Sequence, residues 1–188
     1  SVIIQIEPKG DYVAIGIRNS FGLAVDPQTG FLWDTENGPD VYDEINLVEK
    51  KFNSGWAKIQ GPSNGKTLPQ ITEYEEYIYS EPEFSWEIPV GVTAIEFPNS
   101  NDFKKYQDFL FVADTNNGII YKFKLDDTRT KFVFESPYLQ DNVLNMLEDS
   151  SGNEPMDEIV FAKNLGLISD MKFGPDGALY VISLMEGK

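Results

Sequence analysis

The chain contains no cysteine and no histidine, and it has no long apolar run. Without cysteine, disulfides, thiolate catalysis and cysteine-bound zinc are excluded. Without histidine, a Ser-His-Asp triad and a histidine-bound transition metal are excluded too, and Asp, Glu, Lys and Tyr remain as acid–base candidates. A membrane-spanning helix needs about 20 consecutive apolar residues, so the sequence predicts no membrane span.

Positive charge is also scarce. The 188 residues carry 15 Lys and Arg against 31 Asp and Glu, which gives a formal net charge of −16. Such a surface repels the phosphates of nucleic acids and anionic lipids, so we expect no nucleic-acid partner. It is compatible with divalent cations, because Ca²⁺ prefers carboxylate and carbonyl oxygens, but the same acidity also serves solubility alone.

Strand signals are abundant instead. Apolar, β-branched and aromatic runs alternate with turns that contain Pro, Gly, Asn or Asp. The predicted strands are Val2–Ile6, Gly22–Val25, Phe31–Asp34, Glu44–Glu49, Thr93–Phe97, Asp108–Asp114, Ile119–Leu125, Lys131–Glu135, 169–173 and 178–183. The polar segments 60–68 and 141–157 are predicted as surface loops, and a turn or two of helix over 143–149 is the alternative for the second.

One pattern occurs three times: a strand, a turn that contains proline, and a strongly apolar strand. The three segments are GLAVDPQTGFLWDTE, AIEFPNSNDFKKYQDFLFVADT and DMKFGPDGALYVIS, and they recur about every 70–75 residues. Such a unit cannot bury both faces of its own sheet, so neighbouring units must stack. The repeat predicts an all-β chain, a β-propeller or a related array, and the length predicts a single domain over residues 1–188.

Two motifs near the start of the chain carry chemistry. Arg18-Asn19 follows a short apolar run, and a guanidinium is a forked donor suited to carboxylates and quinone oxygens. Asn37-Gly38-Pro39 is a tight turn that can direct successive carbonyls at a hard cation, and Asp43-Glu44 follows it at the start of a strand. Taken alone, these motifs also fit a surface arginine, an ordinary turn and a solvated strand start.

The whole set of motifs resembles one family, the soluble PQQ-dependent sugar dehydrogenases of the glucose/sorbosone dehydrogenase type. The resemblance is carried by GIRNSFGLAVDPQTGFLW and ENGPDVYDEINL, and then by FSWEIPVGVTAIEF, FLFVADTNNGIIYKFKL and SDMKFGPDGALYVIS. It implies a six-bladed β-propeller with the quinone on its central axis. This chain would hold about three of the blades, from the C-terminal part of the propeller.

The resemblance also implies an activity and a set of ligands. The activity is oxidation of an aldose sugar at C1, with hydride transfer to PQQ in the presence of Ca²⁺. The cofactor-binding residues would be Arg18, Asn19 and Asn37. The metal ligands would be Gly38, Pro39, Asp43 and Glu44. The family's catalytic histidine lies in an earlier blade, so no catalytic residue is assigned here and the base would lie outside this chain.

Two positions depart from the family pattern. The family commonly has Lys or Arg at the turn that corresponds to Thr115–Asn117, and Arg just before the counterpart of Asp170. PQQ carries three carboxylates and needs cationic partners, so we expect this chain to bind Ca²⁺ more readily than PQQ. The alternative function is a propeller-derived module that binds calcium or a protein partner and has no catalytic activity.

The ends of the chain bear on partners and location. Ser1–Ile6 and the last predicted strand both lack neighbours within the sequence, and unpaired strand edges invite association. We therefore expect either self-association or pairing with a missing N-terminal half, and a sugar substrate for the full-length protein. The resemblance implies a periplasmic or extracellular location, although no targeting segment is recognisable in this chain.

Overall fold

The structure, a computed structural model, describes residues 1–6, 10–66, 76–145 and 156–184. In these ranges β-strands dominate, and the helices are two short 3₁₀ segments, Asn101–Tyr106 and Pro137–Leu139. None of the helical segments in these ranges has the length and apolar character needed to cross a bilayer. The prediction of an all-β chain with little helix is confirmed.

Fifteen strands occur in the described residues, and most of them border a turn that the sequence marks with Gly, Pro, Asn or Asp. In chain order they are β1 Val2–Gln5, β2 Asp11–Ile15, β3 Ser20–Val25, β4 Leu32–Glu36, β5 Asp43–Val48, β6 Phe52–Asn53, β7 Ile78–Tyr79, β8 Phe84–Trp86, β9 Val92–Glu96, β10 Phe109–Asp114, β11 Ile120–Lys124, β12 Val143–Leu144, β13 Val160–Ala162, β14 Ile168–Phe173 and β15 Leu179–Ser183.

Two complete blades lie at the centre of the chain. The first consists of β3, β4, β5 and β8, and the second of β9, β10, β11 and β13; within each blade all neighbouring strands are antiparallel. Strand β9 contacts β3 on one side and β14 on the other. The first strands of successive blades therefore gather around a common axis, which is the arrangement of a β-propeller.

Within the described residues, a sheet with fewer blade strands flanks the complete blades on each side. Strands β1 and β2 form an antiparallel pair before the first blade, and β14 and β15 form one after the second blade. The links from β2 to β3, from β8 to β9 and from β13 to β14 are equivalent, because each joins the last strand of one sheet to the first strand of the next. The chain is thus a partial β-propeller, as the sequence predicts.

Three very short strands extend the outer edges of the sheets. β6 and β7 come from the segment between β5 and β8, yet β6 pairs in parallel with β2 and β7 pairs with β6. In the same way β12 comes from the segment between β11 and β13 and pairs in parallel with β8. In both blades, the segment that connects the third and fourth strands, here called the excursion, covers the outer edge of the preceding sheet.

Local side-chain bonds explain why the hairpins form where they do. In the β3–β4 turn the Asp26 carboxylate accepts hydrogen bonds from the backbone N–H of Gln28 at 2.9 Å and from the Thr29 hydroxyl at 2.9 Å. In the β10–β11 turn Asp114 accepts from the backbone N–H of Asn117 at 2.8 Å and from the Tyr121 hydroxyl at 2.7 Å. The bonds from Gln28, Thr29 and Asn117 satisfy turn donors that no ladder reaches, and the bond from Tyr121 ties the second turn to β11.

The largest core cluster lies between the two complete blades. Trp33 from β4, Phe84 and Trp86 from β8, and Tyr121 and Phe123 from β11 are all fully buried. The rings of Phe84 and Trp86 meet edge to face with centroids 4.9 Å apart, and those of Trp86 and Tyr121 are 5.1 Å apart. Large buried rings of this kind contribute most of the packing energy of a small core, so this cluster fixes the first blade against the second.

Three local predictions are wrong. Ser1–Ile6, expected to have no neighbour within the sequence, pairs as β1 with β2, because Asp11–Ile15 forms a strand that the sequence analysis did not predict. The segment Lys131–Glu135 is not a strand, since it makes a single bridge, between Leu125 and Phe132. Phe132 and Phe134 pack on the aromatic core instead of extending a ladder. The segment 143–149, predicted as a loop with a helix as the alternative, begins as strand β12, because the edge of β8 supplies a backbone partner. Residues 146–149 of that prediction lie outside the described residues.

Candidate functional site

Arg18 lies in the link between β2 and β3, next to the propeller axis. Its backbone N–H donates to the carboxylate Oε2 of Glu36 at 2.6 Å, and its guanidinium Nη1 donates to the carbonyl of Asn37. The guanidinium carbon also stands 5.3 Å from the ring centroid of Trp56. The end of β4 and the loop after β6 therefore hold both the backbone and the charged group of Arg18.

Asn37 joins the first strands of the two complete blades. Its backbone N–H donates to the carbonyl of Asn19 at 3.0 Å, and its side-chain Nδ2 donates to the carbonyl of Val92 at 2.8 Å. Asn19 precedes β3 and Val92 begins β9. The three residues predicted to contact the cofactor, Arg18, Asn19 and Asn37, are thus brought together at one end of the axis.

Asp43 organises the turn that begins at Gly38. Its Oδ1 accepts from the Gly38 N–H at 2.9 Å, and its Oδ2 accepts from the N–H groups of Val90 and Gly91 at 2.8 and 2.6 Å. Burial raises the pKa of this carboxyl, and the amide hydrogen bonds oppose that rise. Asp43 is fully buried, so its observed role is to tie the turn to the start of β9. Pro39, by contrast, is exposed.

Only glycine fits at position 38. A Cβ there would collide with the backbone carbonyls of Val41 and Tyr42. Tyr42 itself takes a positive φ of 57°, which is uncommon outside glycine. The turn is therefore compact, and its backbone is fixed by close approach and by Asp43 together.

Glu36 and Glu44 form a buried pair of carboxylates on β4 and β5. The two residues face each other in the strand register, and both accept from the side-chain Nδ2 of Asn46, at 3.1 Å for Glu36 and 3.4 Å for Glu44. The second oxygen of Glu44 accepts from the Gly61 N–H at 2.5 Å. Burial and then the charge of Glu36 raise the pKa of Glu44 to about 8, and burial also raises the pKa of Glu36.

Asp34 extends this pair into a larger acidic cluster. It lies opposite Asn46 in the register and two residues from Glu36, on the same face of β4. Both of its carboxylate oxygens and the Asn46 Oδ1 are buried without a hydrogen-bond partner among the described residues. Burial and the charge of Glu36 raise the pKa of Asp34 well above its usual range. A proton or a cation must offset charge in this cluster.

A small cavity lies beside the carboxylate pair, with room for about one water-sized occupant. Its lining consists of Arg18, Glu36, Asn37, Gly38, Tyr42, Glu44, Ser54, Trp56, Ile59 and Gln60. Four of the seven sequence-predicted residues, Arg18, Asn37, Gly38 and Glu44, therefore share one cavity. The other three, Asn19, Pro39 and Asp43, do not line it. No three acidic side chains of the described ranges converge as a ready-made metal site.

Sequence reasoning missed Glu36 and Trp56. The signal for Glu36 was present, because Asp34 and Glu36 alternate on one strand as Glu44 and Asn46 do on the next. Residues two apart on a strand lie on the same face of the sheet. Two polar residues spaced in this way on each of two otherwise apolar, paired strands therefore indicate a buried polar cluster. Trp56 had no such signal, since only the fold brings it over Arg18.

Similarity to known proteins identifies the family of this chain. A model of the Glucose / Sorbosone dehydrogenase family matches residues 7–187, and the chain belongs to that family. The Aldose sugar dehydrogenase YliI of Escherichia coli is 27% identical over 170 residues, which cover 89% of this chain and 39% of the relative. Quinoprotein glucose dehydrogenase B of Acinetobacter calcoaceticus is 47% identical over 47 residues, 25% of this chain and 10% of that protein.

Solved structures agree with the fold. The soluble aldose sugar dehydrogenase of Escherichia coli in its apo-form superposes with a TM-score of 0.62 at 25% identity, over 93% of this chain and 45% of that chain. The PQQ-bound aldose sugar dehydrogenase of Streptomyces coelicolor superposes with a TM-score of 0.61 at 18% identity, over 94% and 40%. This chain spans less than half the length of each of these relatives.

Proposed function

We propose that this chain forms the cofactor-site part of a PQQ- and Ca²⁺-dependent aldose sugar dehydrogenase. The observation that carries the proposal is the buried pair Glu36 and Glu44, which lines a cavity for a single small occupant beside Arg18. The complete protein would oxidise an aldose at C1 and transfer hydride to the quinone. The catalytic base would come from outside these 188 residues, which contain no histidine.

The donor set fits Ca²⁺. Two carboxylates, with the backbone carbonyls of the adjacent turn, supply the hard oxygen ligands that Ca²⁺ takes in irregular geometry. The raised pKa of Glu44, about 8, means that this carboxylate has too little positive charge near it when ionised. A divalent cation would supply that charge. We therefore assign Glu36 and Glu44 as the first candidate ligands and Asp43 as the residue that positions the turn.

The donor set fits PQQ less completely. Arg18, Asn19 and Asn37 offer a guanidinium and two amides at the end of the axis, but Arg18 is the only basic residue that lines the described cavity. The turn where the family commonly carries Lys or Arg holds Asn116 and Asn117 instead. Their side-chain amides donate hydrogen bonds to the Pro89 carbonyl and to the Asp114 carboxylate, respectively. We therefore expect this chain by itself to bind Ca²⁺ with higher affinity than PQQ.

The residues of this chain would bind and orient. Arg18 would pair with a cofactor carboxylate, and Trp56 beneath its guanidinium would limit the conformations that Arg18 samples. Asn37 would hold the two first strands at a fixed separation through its bond to Val92. When bound, PQQ supplies a hydride acceptor and Ca²⁺ supplies a Lewis acid. We propose a periplasmic or extracellular location, as the family resemblance implies.

A second candidate function is a calcium-binding or interaction module without catalysis. The absence of histidine and the neutral turn at Asn116 and Asn117 favour it for the chain by itself. The two candidates differ in one measurable property, because both predict Ca²⁺ binding but only the dehydrogenase predicts binding of PQQ after Ca²⁺.

Calorimetry and thermal melts on this chain test the proposal. Ca²⁺ at about 100 times its Kd should stabilise the fold by about 2.7 kcal/mol, which is a rise in Tm of about 5–11 °C for a domain of this size. Glu44→Gln and Glu36→Gln should each abolish most of that rise. Glu135→Gln is the matched control, because Glu135 is exposed and does not line the cavity.

The cofactor is tested second, at saturating Ca²⁺. PQQ should bind more weakly without Ca²⁺ than with it, and Arg18→Ala should weaken binding further. Tight PQQ binding in the absence of Ca²⁺, or a wild-type Tm that Ca²⁺ leaves unchanged, would refute the proposed function. Ca²⁺ binding with no PQQ binding at all would favour the non-catalytic module.

A further inference from the structure

Three Asn-Gly dipeptides occur in the sequence: Asn37-Gly38, Asn64-Gly65 and Asn117-Gly118. In such a dipeptide the backbone nitrogen of glycine can attack the side-chain amide of asparagine, because glycine has no Cβ to obstruct the approach and its backbone is permissive. The attack requires the two groups to come close together in a suitable orientation. It is therefore blocked where hydrogen bonds or close packing hold either residue, and the structure distinguishes the three dipeptides on this basis.

Asn37-Gly38 is held at both reacting groups. The Asn37 side-chain Nδ2 donates to the carbonyl of Val92 at 2.8 Å, and the Gly38 N–H donates to the Asp43 carboxylate at 2.9 Å. Neighbouring backbone carbonyls leave no space for even a Cβ at Gly38. Attack at this dipeptide would therefore require both hydrogen bonds to break.

Asn117-Gly118 is held by the turn between β10 and β11. The Asn117 side-chain Nδ2 donates to Oδ2 of Asp114 at 3.2 Å, and the Asn117 backbone N–H donates to Oδ1 of the same carboxylate at 2.8 Å. Gly118 is buried, and a Cβ there would lie 2.4 Å from the carbonyl oxygen of Gly166. The amide and the glycine therefore have little freedom to approach each other.

Asn64-Gly65 lies in an exposed turn. The Lys66 N–H donates to the Ser63 carbonyl at 2.9 Å, so the dipeptide forms the two central residues of a β-turn. Both central residues have a positive φ, 51° for Asn64 and 81° for Gly65, as in the type I′ turn. Both are exposed to solvent, which supplies the water that the later step of the reaction consumes.

Neither reacting group of Asn64-Gly65 is firmly held. Among the described residues, the Asn64 side chain has no hydrogen-bond partner. The Gly65 N–H nitrogen lies 3.4 Å from the Ser63 hydroxyl, which is longer than a usual N–H···O bond. A Cβ at Gly65 would meet no atom within 4 Å. The turn can therefore rearrange locally without disturbing a packed side chain.

We propose that Asn64 is a site of spontaneous deamidation in the folded protein. The Gly65 nitrogen forms a bond to the side-chain carbonyl carbon of Asn64, and the amide nitrogen leaves as ammonia, which takes up through solvent the proton lost from the backbone nitrogen. The product is a cyclic succinimide. Water then opens this ring at either carbonyl and gives aspartate or isoaspartate at position 64. Each product carries one more negative charge than asparagine, and isoaspartate adds a methylene group to the main chain.

Mass spectrometry of the folded 188-residue chain tests the proposal. After incubation at mildly alkaline pH in water labelled with heavy oxygen, digestion should show the exchange of the Asn64 amide for labelled oxygen. The modified peptide should appear as two species of equal mass, and an isoaspartyl methyltransferase should methylate one of them. Asn37 and Asn117 should react at least about tenfold more slowly, which corresponds to about 1.4 kcal/mol of activation free energy.

Two comparisons separate the structural cause from the sequence. In urea, where the turns and their hydrogen bonds are lost, the three dipeptides should react at similar rates. In the folded chain, Gly65→Ala should slow the reaction at Asn64, because a Cβ obstructs the attacking nitrogen. Gly30→Ala is the matched control, since Gly30 is also exposed with a positive φ of 77° and free space around it, and it should leave the rate at Asn64 unchanged. Circular dichroism and melting confirm that both variants fold.

Four outcomes would overturn the proposal. The first is an Asn64 that stays unmodified in the folded chain while the chain in urea reacts, and the second is equal rates at all three dipeptides of the folded chain. Aspartate without isoaspartate would contradict the succinimide route. A folded Gly65→Ala variant that reacts as fast as wild type would contradict attack by the Gly65 nitrogen.

This inference is independent of the proposed function. Asn64 does not line the cavity of Glu36 and Glu44, and the experiment measures covalent change with neither Ca²⁺ nor PQQ present. A chain that fails to bind Ca²⁺ or PQQ should still deamidate at Asn64, and a chain that does not deamidate leaves the test of the proposed function unaffected.

Discussion

Replacing Arg129 should destabilise the fold more than any exposed substitution. Arg129 forms a two-pronged ion pair with Asp26, with Nε donating to Oδ2 at 2.6 Å and Nη2 donating to Oδ1 at 3.0 Å. Both residues are buried, at 6% and 0% exposure. Asp26 belongs to the β3–β4 turn and Arg129 follows β11, so the pair joins the first complete blade to the second.

The magnitude follows from what Arg129→Met leaves behind. Breaking a buried ion pair by removing one partner typically costs about 3–5 kcal/mol, because the remaining charge stays buried. Asp26 keeps its bonds from Gln28 and Thr29, so we expect the lower end, about 3 kcal/mol. For a domain of this size that is a fall in Tm of about 6–12 °C.

Urea unfolding of four proteins measures this effect. Arg129→Met is compared with wild type, with the double variant that adds Asp26→Asn, and with Lys124→Met, a matched control at an exposed position. The double variant should recover part of the loss, because no buried charge remains without a partner. A free energy of unfolding for Arg129→Met within about 0.5 kcal/mol of wild type, the usual range for surface changes, would refute the reasoning.

The same pair predicts a pH dependence. Burial raises the pKa of Asp26, but the hydrogen bonds and charge of Arg129 outweigh it and hold that pKa below its usual range. The stability that this pair contributes is therefore present above the unfolded pKa of about 3.9 and is lost as pH falls through the lower folded value. The difference between wild type and Arg129→Met should shrink below about pH 4.

Two further predictions concern the axis and the outer edge of the first blade. Gly22→Ala should lower the free energy of unfolding by about 1–3 kcal/mol, because a Cβ there would lie 2.8 Å from the Ile95 side chain and 2.8 Å from the Thr35 hydroxyl. Gly10→Ala is the control, since a Cβ at that position meets no atom closer than 3.9 Å. Equal melting temperatures for the two variants would contradict the close packing of β3 on β9. Burial raises the pKa of Glu83 to about 7, although the charge of Lys131 opposes the rise. The folded state therefore binds this proton more tightly than the unfolded state does, and the free energy of unfolding should fall as pH rises from about 4.5 to 7. Glu83→Gln should flatten that decline in urea titrations at several pH values, and an unchanged slope would count against it.

The sequence predicts the fold through its turns more than through its strands. Asp26 and Asp114 each begin a turn whose donors they satisfy, and such local bonds can be read from a short stretch of residues. The short parallel strands β6, β7 and β12 could not be predicted in this way. They are strands only because the edges of β2 and β8 lie beside them, which depends on the tertiary arrangement.

The residues of the candidate site were predictable only in part, for the same reason. Arg18, Asn37 and Gly38 were identified from motifs, and the fold brings them to one cavity. The contribution of Glu36 depends on its register opposite Glu44, and register is a property of two strands together. The hydrogen bonds of Asp43 reach Val90 and Gly91, 47 and 48 residues away in the chain. No local pattern distinguishes a residue with such partners from a metal ligand.

The excursions between third and fourth strands have a consequence for how the sequence can be divided. The first blade ends at β8, yet the outer edge of β8 is covered by β12, which lies more than 50 residues later. The excursion of that same blade covers the edge of β2. In the described residues, the first blade together with the strand that covers its outer edge is therefore not encoded by one continuous segment. Insertion, deletion or recombination that respects the visible repeat would still separate partners, so the unit that can be exchanged intact is larger than the unit that repeats.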